Sequence, residues 1–198
     1  ARKRTAGKEL QAMADPEDVL TFWFDEAGPE KWFNKDDAFD EEIRKRFSEL
    51  VHTARDGNLE SWVETPRGCL ALIVLIDQFS RNIHRNSPLA WSADSRALAL
   101  TKLAIDKGYD RSLGINERKF VYMPLMHSEV LADQDMSMEV FGRLADEGME
   151  NSERTMSSAA RHREIIERFG RFPHRNEVLG RESTPEETEF LKEPHSSF

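Results

Sequence analysis

The residues best suited to chemistry in this chain are concentrated in one stretch, 162–187. It contains five arginines and two histidines, which are Arg163, Arg168, Arg171, Arg175, Arg181, His162 and His174. Guanidinium groups form paired hydrogen bonds with carboxylate or phosphate oxygens, and imidazole acts as an acid or a base near neutral pH. Because the whole chain has a formal net charge of −9, this local concentration of positive charge indicates a site for an anion.

A second group of polar residues lies at the end of an apolar run, in the segment 75–85. Arg81 follows Asp77 by four residues, which is a favourable spacing for an ion pair on a helix. The pair is either a structural clamp or one wall of a polar pocket. The polar residues that continue this segment are Gln78, Asn82, His84 and Arg85.

Two histidines occupy apolar faces of predicted helices. On a helix over 117–133 the apolar face consists of Phe120, Met123, Pro124, His127, Val130 and Leu131, with a kink expected at the proline. On a helix over 152–169 it consists of Met156, Ala159, His162, Ile166 and Phe169. Both His127 and His162 are therefore expected to face the interior. Each alone is explained by a buried polar network that fixes helix packing.

Taken together, the segments 77–85, 122–129 and 162–187 are predicted to form the walls of one pocket. The candidate ligand-binding residues are Arg81, Asn82, Arg85, Tyr122, Glu129, Arg168, Arg171, His174 and Arg175. If the protein is an enzyme, His127 or His162 is the acid or base and Asp77 orients it. The alternative is that the whole set is structural.

Several other chemistries are excluded by inspection. The sequence has no phosphate-binding glycine loop, no Gly-x-Ser-x-Gly elbow and no His-Glu-x-x-His motif. The pairs His127/Glu129 and His162/Glu164 are two residues apart, which places them on nearly opposite faces of a helix. No metal or other cofactor is therefore expected; the alternative is a metal held by His127, His162 and Asp77 from three different helices. The one cysteine, Cys69, lies in an apolar run and is expected to be a buried, unreactive thiol.

Composition places the chain among helix-rich globular proteins. Its 198 residues, 38% hydrophobic and 33% charged, suit a single domain, expected over 14–198 behind a polar N-terminal arm, 1–13. The absence of an 18-residue apolar run and of a secretory pattern favours the cytoplasm over a membrane. The acidic pI of about 5.3 argues against a nucleic-acid partner. Nothing in the sequence indicates an oligomeric state.

The periodicity is close to 3.6 residues throughout, which predicts an all-α protein of about eight helices in antiparallel pairs. The predicted helices span 15–26, 35–56, 66–85, 95–107, 117–133, 136–147, 152–169 and 184–191. Asp94 is expected to cap the fourth, and Thr184 and Glu187 to form a capping box on the last. Residues 69–76 are apolar on every side, so the helix containing them is expected to be central and buried.

Four segments resemble a known family. They are FWF (22–24), LIDQFSRNIHR (75–85), FVYMPLMHSE (120–129) and the stretch 162–187. In this order they are similar to the "domain of unknown function 924" family, and the resemblance covers roughly 16–191. It implies a tetratricopeptide-like right-handed α-α superhelix and no particular activity. The tetratricopeptide signature itself is absent.

These observations favour a binding domain whose basic, histidine-containing pocket holds a small anionic ligand or the acidic end of a peptide. The alternative is an enzyme that acts on a phosphorylated or carboxylated small molecule through histidine acid–base chemistry. A third hypothesis, a protein-interaction scaffold, predicts a large exposed apolar patch. The helix faces that can be inferred as exposed are instead charged.

Overall fold

A computed structural model of the protein describes residues 14–197, in which the regular elements are helices and turns, with no strand. The all-α prediction is confirmed. The predicted arm 1–13 lies outside the described residues, as does residue 198. By its internal contacts the described chain divides into unit 1, residues 14–85 and 89–124, and unit 2, residues 86–88 and 125–197. The single domain predicted for 14–198 and the tetratricopeptide-like superhelix stay predictions.

Unit 1 contains the helices up to residue 124. The first is α1 (Pro16–Leu20), which continues as a π-helix (Thr21–Ala27) and is followed by α2 (Pro29–Trp32) and α3 (Asp37–Arg55). The helix α4 (Pro66–Ile73) continues as a second π-helix (Val74–Phe79) and then as α5 (Ser80–Ile83). The last helices are α6 (Asp94–Asp106) and most of α7 (Ile115–Met126). Short 3₁₀ turns cover Glu60–Glu64 and Asp110–Ser112, and a third, Pro88–Ala90, has its first residue in unit 2. Apart from the single-turn α2, these helices correspond to predicted ones.

Unit 2 consists of the end of α7 and the segments that follow it. Its elements are α8 (Leu131–Asp146), α9 (Ser152–Phe169), a 3₁₀ turn (Pro173–Arg175) and α10 (Pro185–Phe190). The helices α8 and α9 pack against each other across the short loop 147–151. Where α9 ends, Ile165, Ile166, Phe172 and Phe190 form a small apolar core. This core anchors the loop 170–184 to the helices on either side of it.

The core of unit 1 is an aromatic cluster built on the first π-helix. Three consecutive aromatic residues, 22–24, lie in this element, whose wider turn spaces them differently from an α-helix. Phe22 packs on Phe47 with ring centroids 4.9 Å apart, and Trp23 packs on Phe79 and Phe120, both at 5.4 Å. The cluster joins α1, α3, the second π-helix and α7. The sequence contains no signal for either π-helix.

The central helix of unit 1 is α4 with its π continuation. Every side chain from Cys69 to Ile76 is fully buried, as predicted from its apolar composition. Thr65 caps the N-terminus by accepting a hydrogen bond from the Gly68 amide at 3.1 Å. Burial raises the pKa of the Cys69 thiol to about 11, so this thiol is protonated at neutral pH.

One predicted helix ends earlier than expected. The sequence predicts a helix over 117–133, but α7 ends at Met126, and His127 lies in the turn that follows. The prediction that Val130 and Leu131 face the interior was wrong, since their exposed fractions are 55% and 37%. The apolar pattern of the sequence continues through this turn, so periodicity alone does not reveal that the helix ends there.

The physical reason for this early end is a side-chain cap from the next helix. Gln134, which is fully buried in α8, donates hydrogen bonds to the carbonyls of Met126 at 2.8 Å and Ser128 at 2.6 Å. These bonds satisfy carbonyls that a continuing helix would have used. The Ser128 hydroxyl also accepts a hydrogen bond from the Val130 amide at 3.2 Å. His127 is therefore positioned by a capped turn rather than by helical phasing.

Within residues 14–197, no helix combines the length and the apolar character that a membrane crossing would require.

Candidate functional site

The segment 162–187 runs from the second half of α9 to the first turn of α10. Gly170 ends α9 with φ = +67°, a left-handed conformation that glycine adopts without a steric penalty. At the other end, Thr184 and Glu187 form the predicted capping box, with both reciprocal hydrogen bonds present. The loop between the two helices is therefore fixed at both of its ends.

Besides Arg163, which binds Asp135 at 2.7 Å and Glu167 at 3.0 Å, three arginines of this segment form ion pairs with carboxylates of unit 2. Arg171 binds Glu187 through two hydrogen bonds of 2.6 and 2.7 Å, and Arg168 binds Glu186 at 2.9 Å. These pairs tie the loop after α9 to α10. The hydrogen bond from Arg171 lowers the pKa of Glu187 to about 2, although burial opposes the shift.

The third of these arginines, Arg181, holds the loop to the turn after α7. It binds the two oxygens of Glu129 at 2.8 and 3.0 Å and donates to the Phe172 carbonyl at 3.0 Å. Glu129 in turn accepts the Phe172 amide hydrogen at 2.8 Å. Burial alone would raise the pKa of Glu129, but the hydrogen bonds from Arg181 and Phe172 outweigh it, so the pKa lies below its usual value.

A fully buried asparagine joins two of these ion pairs. The Asn176 amide donates to the Ser183 hydroxyl at 3.1 Å and to Glu187 at 3.3 Å, and its oxygen accepts from Arg181 at 2.9 Å. This network satisfies most of the polar groups that the loop would otherwise bury. It explains how a segment with few apolar residues keeps one conformation.

The remaining basic groups of the segment, His162, His174 and Arg175, lie around the ring of Phe172. We call these three side chains, together with His127 from the turn after α7, the imidazole cluster. The ring centroids of His162 and His174 lie 5.4 and 5.7 Å from that of Phe172, and the Arg175 guanidinium lies over the Phe172 face at 4.5 Å. His127 and His162 are 6.4 Å apart, and Arg175 donates to the His127 carbonyl at 3.2 Å. The structure thus brings together four of the predicted site residues.

His162 has a defined role in hydrogen bonding. Its Nδ1 lies 2.8 Å from the Ser158 carbonyl, and because a carbonyl only accepts, the proton of the neutral ring belongs on Nδ1. Its Nε2 is therefore an acceptor. The pKa of His162 is lowered to about 3 by burial and by the nearby His127, Arg175 and His174. Only 5% of the residue is exposed. At neutral pH this ring is uncharged and can accept a hydrogen bond.

The predicted ion pair of Asp77 and Arg81 is present in unit 1. The Arg81 guanidinium lies 3.1 Å from the fully buried Asp77 carboxylate and also binds both oxygens of Asp94, at 3.0 and 3.1 Å. Gln78 donates to Asp77 at 2.6 Å. Asp94 was predicted as a helix cap, but its side chain makes no capping bond in α6 and serves as a ligand for Arg81.

The other predicted residues of unit 1 also have partners within that unit. Arg85 and Asn82 both bind the buried carboxylate of Asp40, with Arg85 Nη2 and Asn82 Nδ2 at 2.9 and 2.7 Å. The Tyr122 hydroxyl donates to Asp110 at 2.7 Å. Arg85 and Asn82 thus connect α3 with the end of α5. The single pocket predicted to combine 77–85 with 162–187 stays a prediction.

The sequence reasoning missed the carboxylates that engage the predicted arginines. Asp40 and Asp94 lie far along the chain from their partners and carry no motif, so no local signal identifies them. Glu187 had a signal, because it occupies the third position of the capping box. Asn176 had none.

Two further features of the described residues concern ligands. Over residues 14–197, no group of three or more histidine, cysteine, aspartate or glutamate side chains is arranged to hold a metal ion. A cleft of about 550 Å³ lies in unit 1. Its lining includes none of the predicted site residues and consists of Leu20, Phe24, Asp25, Pro29, Trp32, Arg67, Gly114, Ile115, Asn116 and Glu117.

Comparison with known proteins gives one family and one solved structure. Residues 19–195 match a family described as bacterial protein of unknown function, DUF924. The chain is similar to the solved structure of a protein of unknown function from Agrobacterium tumefaciens, with 38% sequence identity and a TM-score of 0.83. The similarity covers 93% of this chain and 99% of the other. No functionally curated protein matches the chain.

Proposed function

The chain belongs to the DUF924 family of bacterial proteins of unknown function, and we propose that it binds a small hydroxyl-bearing anion at the imidazole cluster of unit 2. The observation that carries the proposal is the grouping of two imidazoles and one guanidinium around Phe172, with a third imidazole, His127, beside His162. A carboxylate or a phosphate monoester is the ligand class that such a group of donors recognises.

The charge balance of unit 2 supports an anion at this place. Arg168, Arg171 and Arg181 are neutralised by Glu186, Glu187 and Glu129. Glu129 interacts electrostatically with Arg175, and Arg181 and the Phe172 amide also bind it. Arg175 adds a permanent positive charge beside His127 and His174. The half-buried positions of these two histidines give a ligand access to the cluster.

His162 adds a second recognition element to this site. Because its Nε2 accepts rather than donates, it favours a ligand that carries a hydroxyl group beside its acidic group. Malate and succinate differ by one such hydroxyl and form a matched pair of test ligands. One hydrogen bond of ordinary strength corresponds to about a tenfold preference for malate.

The test is the shift in melting temperature produced by each ligand, measured by thermal unfolding. We expect malate, or a phosphate monoester, to raise the melting temperature of the wild type more than succinate does. His162→Gln should remove the difference between malate and succinate, and His174→Gln should weaken binding of both. Arg168→Gln is the matched control, since it removes an exposed arginine of the same segment and should leave both shifts unchanged.

Two outcomes contradict the proposal. One is the absence of any shift with hydroxy acids and phosphate monoesters at millimolar concentration. The other is an equal loss of shift in Arg168→Gln, which would indicate a general effect of charge. An acidic peptide tested with a free and an amidated C-terminus distinguishes a peptide end from a small molecule as the ligand.

An enzymatic role is the second candidate, and the state of His162 is the observation that favours it. A neutral imidazole can act as a base towards an acidic group of a bound ligand. On this hypothesis His162→Gln loses turnover while ligand binding and folding persist. A substrate panel with no turnover, together with normal ligand binding in the variant, leaves the binding function alone.

A further inference from the structure

Four basic side chains, three from α3 and one from the end of α5, lie near one another in unit 1. His52 and Arg55 lie in the last turn of α3, and His84 caps the end of α5. The imidazole rings of His52 and His84 stack with centroids 5.7 Å apart and planes inclined by 10°. Arg44 donates to the carbonyl of Ile83, next to His84, at 3.2 Å. We call His52, His84, Arg44 and Arg55 the basic cluster of unit 1.

Two nitrogens of this cluster are buried without a hydrogen-bond partner among the described residues. They are Nε2 of His84 and Nη1 of Arg55. A buried polar nitrogen with no partner carries a free-energy penalty, and such groups are rare in native proteins. Arg55 Nη1 is always a donor, and His84 Nε2 is one when it carries a proton. Two in one cluster point to an acceptor that the protein itself does not supply.

The simplest structural explanation accounts for only part of this arrangement. Cations at a helix C-terminus interact favourably with the helix dipole, which explains basic residues in the last turn of α3. Arg96 also places a positive charge at the C-terminus of α3, because it donates to the Ala54 carbonyl at 2.6 Å. Dipole compensation does not require a buried nitrogen without a partner, so the positions of His84 Nε2 and Arg55 Nη1 remain to be explained.

The charges around the two nitrogens determine what kind of ligand fits. Burial lowers the pKa of His84, and His52, Arg55 and Arg44 lower it further. Glu41 binds Arg44, and Asp56, the residue after α3, is exposed. A metal cation would be repelled by the two guanidinium groups, and this cluster contains only two imidazoles as ligands. An oxyanion would instead be attracted and would accept from both buried donors.

We propose that the basic cluster of unit 1 is a binding site for a tetrahedral oxyanion, such as sulfate or a phosphate group. One oxygen accepts from Arg55 Nη1 and another from protonated His84 Nε2, while His52 and Arg44 add positive charge. The site uses other residues than the imidazole cluster of unit 2 and is independent of the function proposed there. Because the anion stabilises the charged form of His84, binding takes up a proton.

Sulfate is the test ligand, since it remains a dianion across the pH range used. The measurement is the ¹⁵N chemical shift of each histidine side chain during a sulfate titration of the full chain. We expect the His84 resonance to titrate with sulfate, with an affinity about tenfold higher at pH 5.5 than at pH 7.5. In Arg55→Gln and in His84→Gln the response of the cluster should be lost.

Lys45→Gln is the matched control, because Lys45 lies on the same helix, is mostly exposed and carries the same charge. It should leave the titration of His84 unchanged. If Arg55→Gln does not fold, Arg55→Lys retains the charge and loses the guanidinium fork, and it should weaken binding.

No response of His84 to sulfate at pH 5.5 would overturn the proposal, since water then occupies the site. An equal loss in Lys45→Gln and Arg55→Gln would also overturn it. His162→Gln, which tests the other site, should not alter the response of His84.

Discussion

The guanidinium of Arg171 binds the buried carboxylate of Glu187 through two hydrogen bonds of 2.6 and 2.7 Å. Arg171 lies just after α9 and Glu187 in the first turn of α10, so this pair closes the loop between them. The same carboxylate accepts from the Thr184 amide at 2.7 Å. One carboxylate therefore stabilises both the start of a helix and the loop that precedes it.

The first prediction compares Arg168, in the last turn of α9, with Arg171, just after that helix. Arg171→Gln removes the fork that holds Glu187 and leaves a buried carboxylate with fewer partners, which is a strongly unfavourable change. Arg168→Gln breaks an ion pair whose side chains are 45% and 64% exposed, and such pairs contribute little. We expect a clear drop in melting temperature for Arg171→Gln and almost none for Arg168→Gln, by circular dichroism. Equal effects of the two substitutions would contradict a structural role for the Arg171–Glu187 pair.

The second prediction concerns stability below neutral pH. The pKa of His162 is about 3 in the folded protein and about 6.5 in an unfolded chain. Between these values the unfolded state binds the extra proton, so the free energy of unfolding falls as the pH falls from 6.5 towards 3. Above pH 6.5 this contribution is constant.

The size of this effect can be isolated by substitution. In His162→Asn the part of the pH dependence due to His162 disappears, which amounts to about 2 kcal/mol between pH 7.5 and pH 5. Urea unfolding at a series of pH values measures it. His195→Asn, at an exposed histidine, should retain the dependence of the wild type. Parallel curves for the wild type and His162→Asn would show that His162 is not buried as a neutral ring.

The third prediction uses two glycines that lie in helices. A Cβ added at Gly68 would lie 2.2 Å from the carbonyl oxygen of Trp62, whereas one added at Gly142 meets nothing within 4 Å. Gly68→Ala must displace the backbone before α4 and should destabilise the protein by at least about 1–3 kcal/mol. Gly142→Ala in α8 should stabilise it by about 0.5–1 kcal/mol, because alanine favours the helix. Chemical denaturation of both variants gives the sign and the size.

The parts of the fold that were predictable depend on patterns local in sequence. The helix α3 is recognisable because Phe39, Ile43, Phe47, Val51 and Ala54 recur on one face, and all five are buried. The ion pair of Asp77 and Arg81 was predictable because four residues separate its members. The break after α7 was not, because its cause is Gln134, whose side chain binds carbonyls in the preceding turn.

The candidate site was predictable in composition and less so in pairing. The histidines and arginines of 162–187 were identified from their density, and the structure groups His162, His174 and Arg175 around one ring. Which arginines bind carboxylates depends on residues far away in the chain, as with Arg85 and Asp40. No periodicity encodes such a contact. The same holds for His52 and His84, which meet only because α3 packs against α5.

The last prediction tests the clamp of unit 1. Arg81 lies between Asp77, which is fully buried, and Asp94, which is partly exposed. Arg81→Met therefore removes the cation that stabilises the charge on both carboxylates. We expect a loss of about 3 kcal/mol at pH 7, the size seen when one partner of a buried ion pair is removed. Without the guanidinium the buried carboxylate of Asp77 lacks this counter-charge, and acid relieves a buried charge of this kind by neutralising it. The cost of Arg81→Met should therefore be smaller at pH 4 than at pH 7, and the double variant Asp77→Leu/Arg81→Met should cost less than the sum of the single ones.

Arg143→Met, in an exposed pair with Glu139, should have little effect at either pH. A cost that is independent of pH would contradict the assignment, because it would mean that Arg81 stabilises unit 1 by packing and not by its charge.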